Sequence, residues 1–103
     1  MAWVAWTAVK NKAAAEKLAR GLVQEKLAAC VSVIPGVVSH YRWKGKPARS
    51  REFLLMIKTD RKRWLSLSRS IRKNHPYELP ELIALPVTAG SKEYLSWLND
   101  SLK

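Results

Sequence analysis

Cysteine, glycine and acidic residues are all scarce in this sequence. One cysteine stands among 103 residues, which excludes a small secreted scaffold held by internal disulfides and fits a reducing, cytoplasmic setting. Only four glycines are present. None falls in a G-x-x-x-x-G-K-S/T phosphate cradle, a G-x-G-x-x-G turn or a G-x-S-x-G elbow, so the common nucleotide-binding and serine-hydrolase signatures are absent. No apolar run approaches the roughly 18 residues needed to span a bilayer. The opening "MAWVAWTAVKNK" lacks the basic-then-apolar order of a secretory leader. The expectation is one soluble, unprocessed domain over 1–103, with apolar residues at 48%, too many for a disordered chain.

Charge of one sign is abundant instead. Nineteen Lys plus Arg face eight Asp plus Glu, for a net charge of +11. Between Arg42 and Lys73 stand twelve basic residues and two acids, Glu52 and Asp60. Such a run attracts polyanions, namely nucleic acid, anionic lipid or an acidic protein; it also serves as a plain solvated surface. The residues best placed to meet an acidic protein or nucleic acid partner are Arg42, Lys44, Lys46, Arg49, Arg51, Arg61, Lys62 and Arg63, with Trp43 and Trp64 beside them. RNA-recognition domains stack bases on sheet aromatics in a glycine-containing strand, whereas "REFLLMIKT" offers only Phe53; phosphate contacts would therefore dominate.

The pattern of apolar residues predicts seven elements. Ala2 to Val9 is a strand. Residues 13–27 place Ala15, Leu18, Ala19, Leu22, Val23 and Leu27 at helical spacing, with Asn11 as cap. Cys30 to Trp43 is β-rich and broken by Pro35-Gly36, which demands a bend or bulge. "KGKP" at 44–47 is a turn, and Glu52 to Thr59 a strand whose unalternated "FLLMI" reads as covered on both faces. Residues 61–73 form a second helix, capped by Asp60, with Trp64, Leu65, Leu67 and Ile71 on its apolar flank. Leu82 to Val87 is a strand, and Ser91 caps a last helix carrying Tyr94, Leu95, Leu98 and Leu102. This β-α-β-β-α-β-α order predicts an α+β, ferredoxin-like βαββαβ sandwich with an extra C-terminal helix. Two helices cover one sheet face. The other needs a cover that the remaining residues are too few to supply, and a further subunit is the natural source.

The reactive side chains form no recognised constellation. Cys30 lies between "LAA" and "VSV" at a helix-to-strand joint, the setting of a structural thiol more often than of a nucleophile. His40 lies on a strand and His75 before Pro76, with no metal-ligand spacing between them or to Cys30. Glu78 and Glu81 flank Leu79-Pro80 and read as a charged approach to a strand rather than a catalytic pair.

"EKLAACVSVIPGVVSHYRWKGK", "LLMIKT", "HPYELPELIALPV" and "EYLSWLND" occur in this order and, together, resemble the CutA divalent-cation tolerance family over about Ala13 to Leu102. The resemblance implies a non-enzymatic homotrimer linked to copper and other divalent metals. No cofactor is required, but a divalent metal such as copper is implied as a ligand. Carried over position by position, its metal ligands fall on Cys30 and His75, while two further ligand positions hold Trp6 and Asn74. The chain departs from the pattern at "KPARSRE" and "AVKNK", where cations replace acids, and "KNK" and "RKR" set cations at helix starts against the helix dipole. These departures read as an engineered or strongly diverged surface.

Overall fold

The computed structural model describes all residues, Met1–Lys103. Strand β1 (Ala2–Val9) leads into helix α1 (Lys12–Gln24), then strands β2 (Cys30–Trp43) and β3 (Lys46–Asp60). A 3-10 turn at Arg61–Arg63 opens helix α2 (Trp64–Asn74), followed by strand β4 (Ile83–Pro86) and helix α3 (Lys92–Ser101). The sheet is antiparallel in the order β2-β3-β1-β4. This is the expected α+β topology. The expected caps are present as well: Asn11, Asp60 and Ser91 accept hydrogen bonds from the amides of Ala14, Arg63 and Tyr94.

Alternation along the strands assigns the two sheet faces. Ala5, Val9, Leu55 and Ile57 are fully buried and meet Ala15, Leu18 and Leu22 of α1 and Leu67 and Ile71 of α2. This is the core. The opposite face carries Val4, Trp6, Leu54 and Met56, which are only half-buried, and Ile34, Ile83 and Leu85, which are exposed. "FLLMI" is thus covered on one side by helices and left open on the other by this chain. Helix α3 reaches only the Asp60 end of the open face, where the Lys58 ammonium donates to the Tyr94 hydroxyl at 2.9 Å and lies over its ring. The Tyr94 hydrogen bond raises the Lys58 pKa, against a smaller desolvation effect.

Four details differ from the expectation. Strand β3 begins at Lys46 rather than Glu52, because "KPARSR" pairs with β2 although it has no apolar alternation. Its turn is Lys44-Gly45, both at positive φ, the two-residue turn whose twist suits a hairpin. Helix α1 stops at Gln24 and leaves Val23 exposed. The α-helical part of the second helix starts at Trp64, after the 3-10 turn, and Leu65, two residues before the buried Leu67, lies outside at 66% exposure rather than on the apolar flank.

The register of β2 slips between Ile34 and Val37, at the Pro35-Gly36 interruption, with Gly36 at φ +72°. Beyond this bulge the hairpin leaves the sheet. β1 pairs with β3 only from Phe53 to Asp60, so Val37–Trp43 and Lys46–Glu52 run on as a two-stranded ribbon. The molecule is consequently long, 44 × 25 × 23 Å, with a radius of gyration of 14.1 Å against about 13 Å for a compact chain of 100 residues.

Candidate functional site

Cys30 and His75 are held apart. Cys30 opens the edge strand β2 opposite Lys58, which is in turn opposite Val4 of β1. His75 reaches β1 four residues further on, where Nε2 donates to the Ala8 carbonyl at 2.9 Å. Strand geometry puts the two side chains roughly 16 Å apart. The Nδ1 atom of His75 accepts from the Tyr77 amide at 3.1 Å, so both ring nitrogens are engaged. Burial lowers the His75 pKa, opposed by the Ala8 carbonyl and the Glu52 charge. The Cys30 thiol is free and half-buried. No three His, Cys, Asp or Glu residues stand together as a metal centre. Within one chain, these residues do not fit the copper site that the resemblance implies.

The basic run is divided by the fold. Arg42, Lys44 and Lys46 lie at the free end of the ribbon, with Arg49 and Arg51 along β3. Arg61, Lys62 and Arg63 follow Asp60, at the other end of that strand. Fourteen steps of strand separate Lys46 from Asp60, roughly 46 Å if fully extended. Arg63 is not a free cation. It pairs with Asp60 at 2.7 Å, donates to the Lys26 carbonyl at 3.1 Å and to the Leu102 carbonyl, and so ties β3, the exit of α1 and the end of α3 together. Arg42 donates to Gly45 and closes its own turn. Trp43 is exposed near the ribbon's end, whereas Trp64 packs on Trp3 with ring centroids 5.9 Å apart on the helix side of the sheet.

A third region was not singled out by the sequence. Where the ribbon leaves the sheet, a groove of about 810 Å³ runs between Ala8-Lys10, the ribbon residues Ser39–Tyr41 and Trp43, and the segment Tyr77–Glu81 after α2. Glu52, only 8% exposed, accepts a 2.8 Å hydrogen bond from the Tyr77 hydroxyl. Burial and the Glu52 carboxylate both push the Tyr77 pKa up, so the phenol keeps its proton and acts as donor. The Tyr41 and Ser50 hydroxyls share a 2.7 Å hydrogen bond, and Tyr77 stacks edge-on against His75. Glu52, Glu78 and Glu81, three of the chain's eight acids, line this one groove in a protein of charge +11. The signal available in sequence was Glu52 itself, an acid at the head of an apolar strand; its partner Tyr77 is 25 residues away, beyond any local periodicity.

Residues 3–101 match the family model of the CutA1 divalent ion tolerance protein. The chain is 47% identical over 100 residues to the chloroplastic protein CutA of Arabidopsis thaliana, covering 97% of this chain and 55% of that protein. It is 41% identical to the divalent-cation tolerance protein CutA of Thermus thermophilus, covering 90% of each. The solved structure of the Thermus thermophilus protein superposes with a TM-score of 0.95 at 40% identity over 98% of both chains. That of the periplasmic divalent cation tolerance protein CutA of Archaeoglobus fulgidus does so at 0.95 and 29% identity, over the whole of both. The chain spans about half the length of the Arabidopsis relative and nearly all of the Thermus one.

Proposed function

The chain belongs to the CutA1 divalent ion tolerance family, and on that premise we propose that it acts as a non-enzymatic homotrimer in divalent-cation tolerance, meeting metal only through groups that more than one copy supplies. One observation carries the assembly: a seven-pair ribbon stands clear of the sheet with Val38, Tyr41 and Trp43 exposed on it. An isolated two-stranded hairpin is marginal in water, and a long unprotected edge invites pairing. Ile34, Ile83 and Leu85 extend the uncovered apolar surface back onto the sheet. A second and third copy of the chain cover both, and they close the groove that one chain leaves open along the ribbon.

The same reading accounts for the scattered metal donors. His75 is spent on Ala8 and Tyr77, so Cys30, the chain's one thiol, at the start of an edge strand, is the donor proposed for a copper-class ion. Its remaining ligands come from neighbouring copies. No helix is long and apolar enough to cross a membrane; the cytoplasmic location proposed here rests on the single unpaired thiol.

Light scattering at micromolar concentration tests the assembly, and calorimetric titration with Cu(II) and Cu(I) tests the ligand. The expected mass is three times 11.7 kDa, and Cys30→Ala is expected to abolish copper binding while His75→Gln preserves it. A monomer overturns the reading, as does copper binding untouched by Cys30→Ala.

A further inference from the structure

The outer face of α2 carries charge of one sign, and no carboxylate of the chain pairs with it. Arg61, Lys62, Arg69, Arg72 and Lys73 are all exposed, and no acid occurs between Asp60 and Glu78. The chain has two ion pairs, Arg63 with Asp60 and Lys103 with Asp100, so none of these five cations is paired with a carboxylate. Helical spacing gathers Lys62, Arg69, Arg72 and Lys73 on the side opposite the buried Leu67 and Ile71. They cover roughly 16 Å of helix length. The face is also turned away from the uncovered sheet surface, since α2 lies on the other side of the sheet.

We propose that this face of α2 binds the phosphate backbone of a nucleic-acid duplex, without reading its sequence. Four points favour that partner. Phosphates present about one charge per 1.7 Å of duplex axis, a density that a four-cation stripe of this length complements. Ser66 and Ser70 sit among the cations and offer hydroxyls of the kind that bond phosphate oxygens. The apolar stripe of α2 is spent on the core, with Leu67 and Ile71 at 0% exposure, and Leu65 is the one large apolar side chain its outer face exposes, so the helix has little to insert into a lipid surface. Trp64, the aromatic nearest the stripe, is packed against Trp3 and unavailable for stacking on unpaired bases. The ribbon cations are less suited, because the ribbon is the surface that other copies cover in the assembly proposed above.

Anisotropy of fluorescent DNA duplexes of differing sequence tests this. Expected is similar affinity for all of them, falling with salt at a log–log slope of about −3 to −4 for four neutralised phosphates, roughly 10²-fold between 50 and 200 mM. Substituting Arg69→Gln, Arg72→Gln and Lys73→Gln together, all at exposed sites, is expected to reduce that slope by about 3. The triple variant Arg42→Gln, Lys44→Gln, Lys46→Gln is expected to keep it. The proposal is overturned if the α2 variant binds as tightly and as salt-dependently as the parent, or if the ribbon variant is the one that loses binding. It is equally overturned if phosphatidylserine vesicles or polyglutamate are bound at low salt and the duplex is not.

Discussion

The two faces of the sheet are built from alternate residues of the same strands, yet one is finished and the other is not. On the helix side Ala5, Val9, Leu55 and Ile57 have no exposure at all. On the far side, Leu85 remains 55% exposed, and Leu54 and Met56 are only half-buried. The strands are equally apolar on both sides, so the difference lies in what the chain has left to cover them. Two helices serve the first face; α3, ten residues long, serves only one end of the second. Apolar strand composition therefore overstates the burial that one chain supplies.

The largest expected effect separates the two faces directly. Ile57→Ala empties a fully buried position and is expected to cost about 2–5 kcal/mol, visible as a lower urea midpoint at every protein concentration. Leu85→Asp on the open face is expected to leave the circular dichroism of the chain intact and to reduce its mass in light scattering. If Leu85→Asp leaves the mass unchanged, the open face is not the interface, and the contrast between the faces has no bearing on assembly.

The finished face was legible in the sequence and the unfinished one only in outline. Helical spacing named Ala15, Leu18, Leu22, Leu67 and Ile71, all of which are buried. The strand bounds Cys30–Trp43 and the interruption at Pro35-Gly36 follow from β-branched content and from the missing proline N–H. Leu65 and Val23 were misplaced because apolar identity was allowed to outweigh spacing: Leu65 stands two residues from Leu67 and Val23 one from Leu22, so helical geometry turns both off the buried stripes. The basic residues were contiguous in sequence, but a hairpin sends the two ends of such a run to opposite ends of the molecule. Tyr77 and Glu52 met across an interval that no periodicity marks. Membership of the family was readable from four motifs in register, because motif order survives where surface charge does not.

His75 stands where the chain crosses from the finished side to the groove, and it links the comparison to pH. Burial holds its folded pKa below the unfolded value of about 6.5. Between these two values the unfolded chain binds more protons than the folded one. Stability is therefore complete above about pH 6.5 and falls as the pH drops toward the lowered folded value. The urea midpoint is expected to fall between about pH 8 and about pH 5.5 in the parent and to change less in His75→Gln. Equal pH dependence in both would remove the burial of His75 as the cause.

The smallest effect concerns a flaw in the finished face. Thr7 is fully buried opposite Leu55, and its Oγ1 atom has no hydrogen-bond partner. A buried hydroxyl left unpaired costs about 1–3 kcal/mol relative to an apolar group of the same shape. Valine has that shape, and its β-branching suits the strand. Thr7→Val is thus expected to raise stability by about 1 kcal/mol, a Tm increase of roughly 4–8 °C for a domain of this size. The substitution touches neither the ribbon nor the open face, so mass and DNA binding should stay as they are. A lower Tm would mean that the hydroxyl is satisfied in solution, and that the helix side of the sheet is less dry than its complete burial implies.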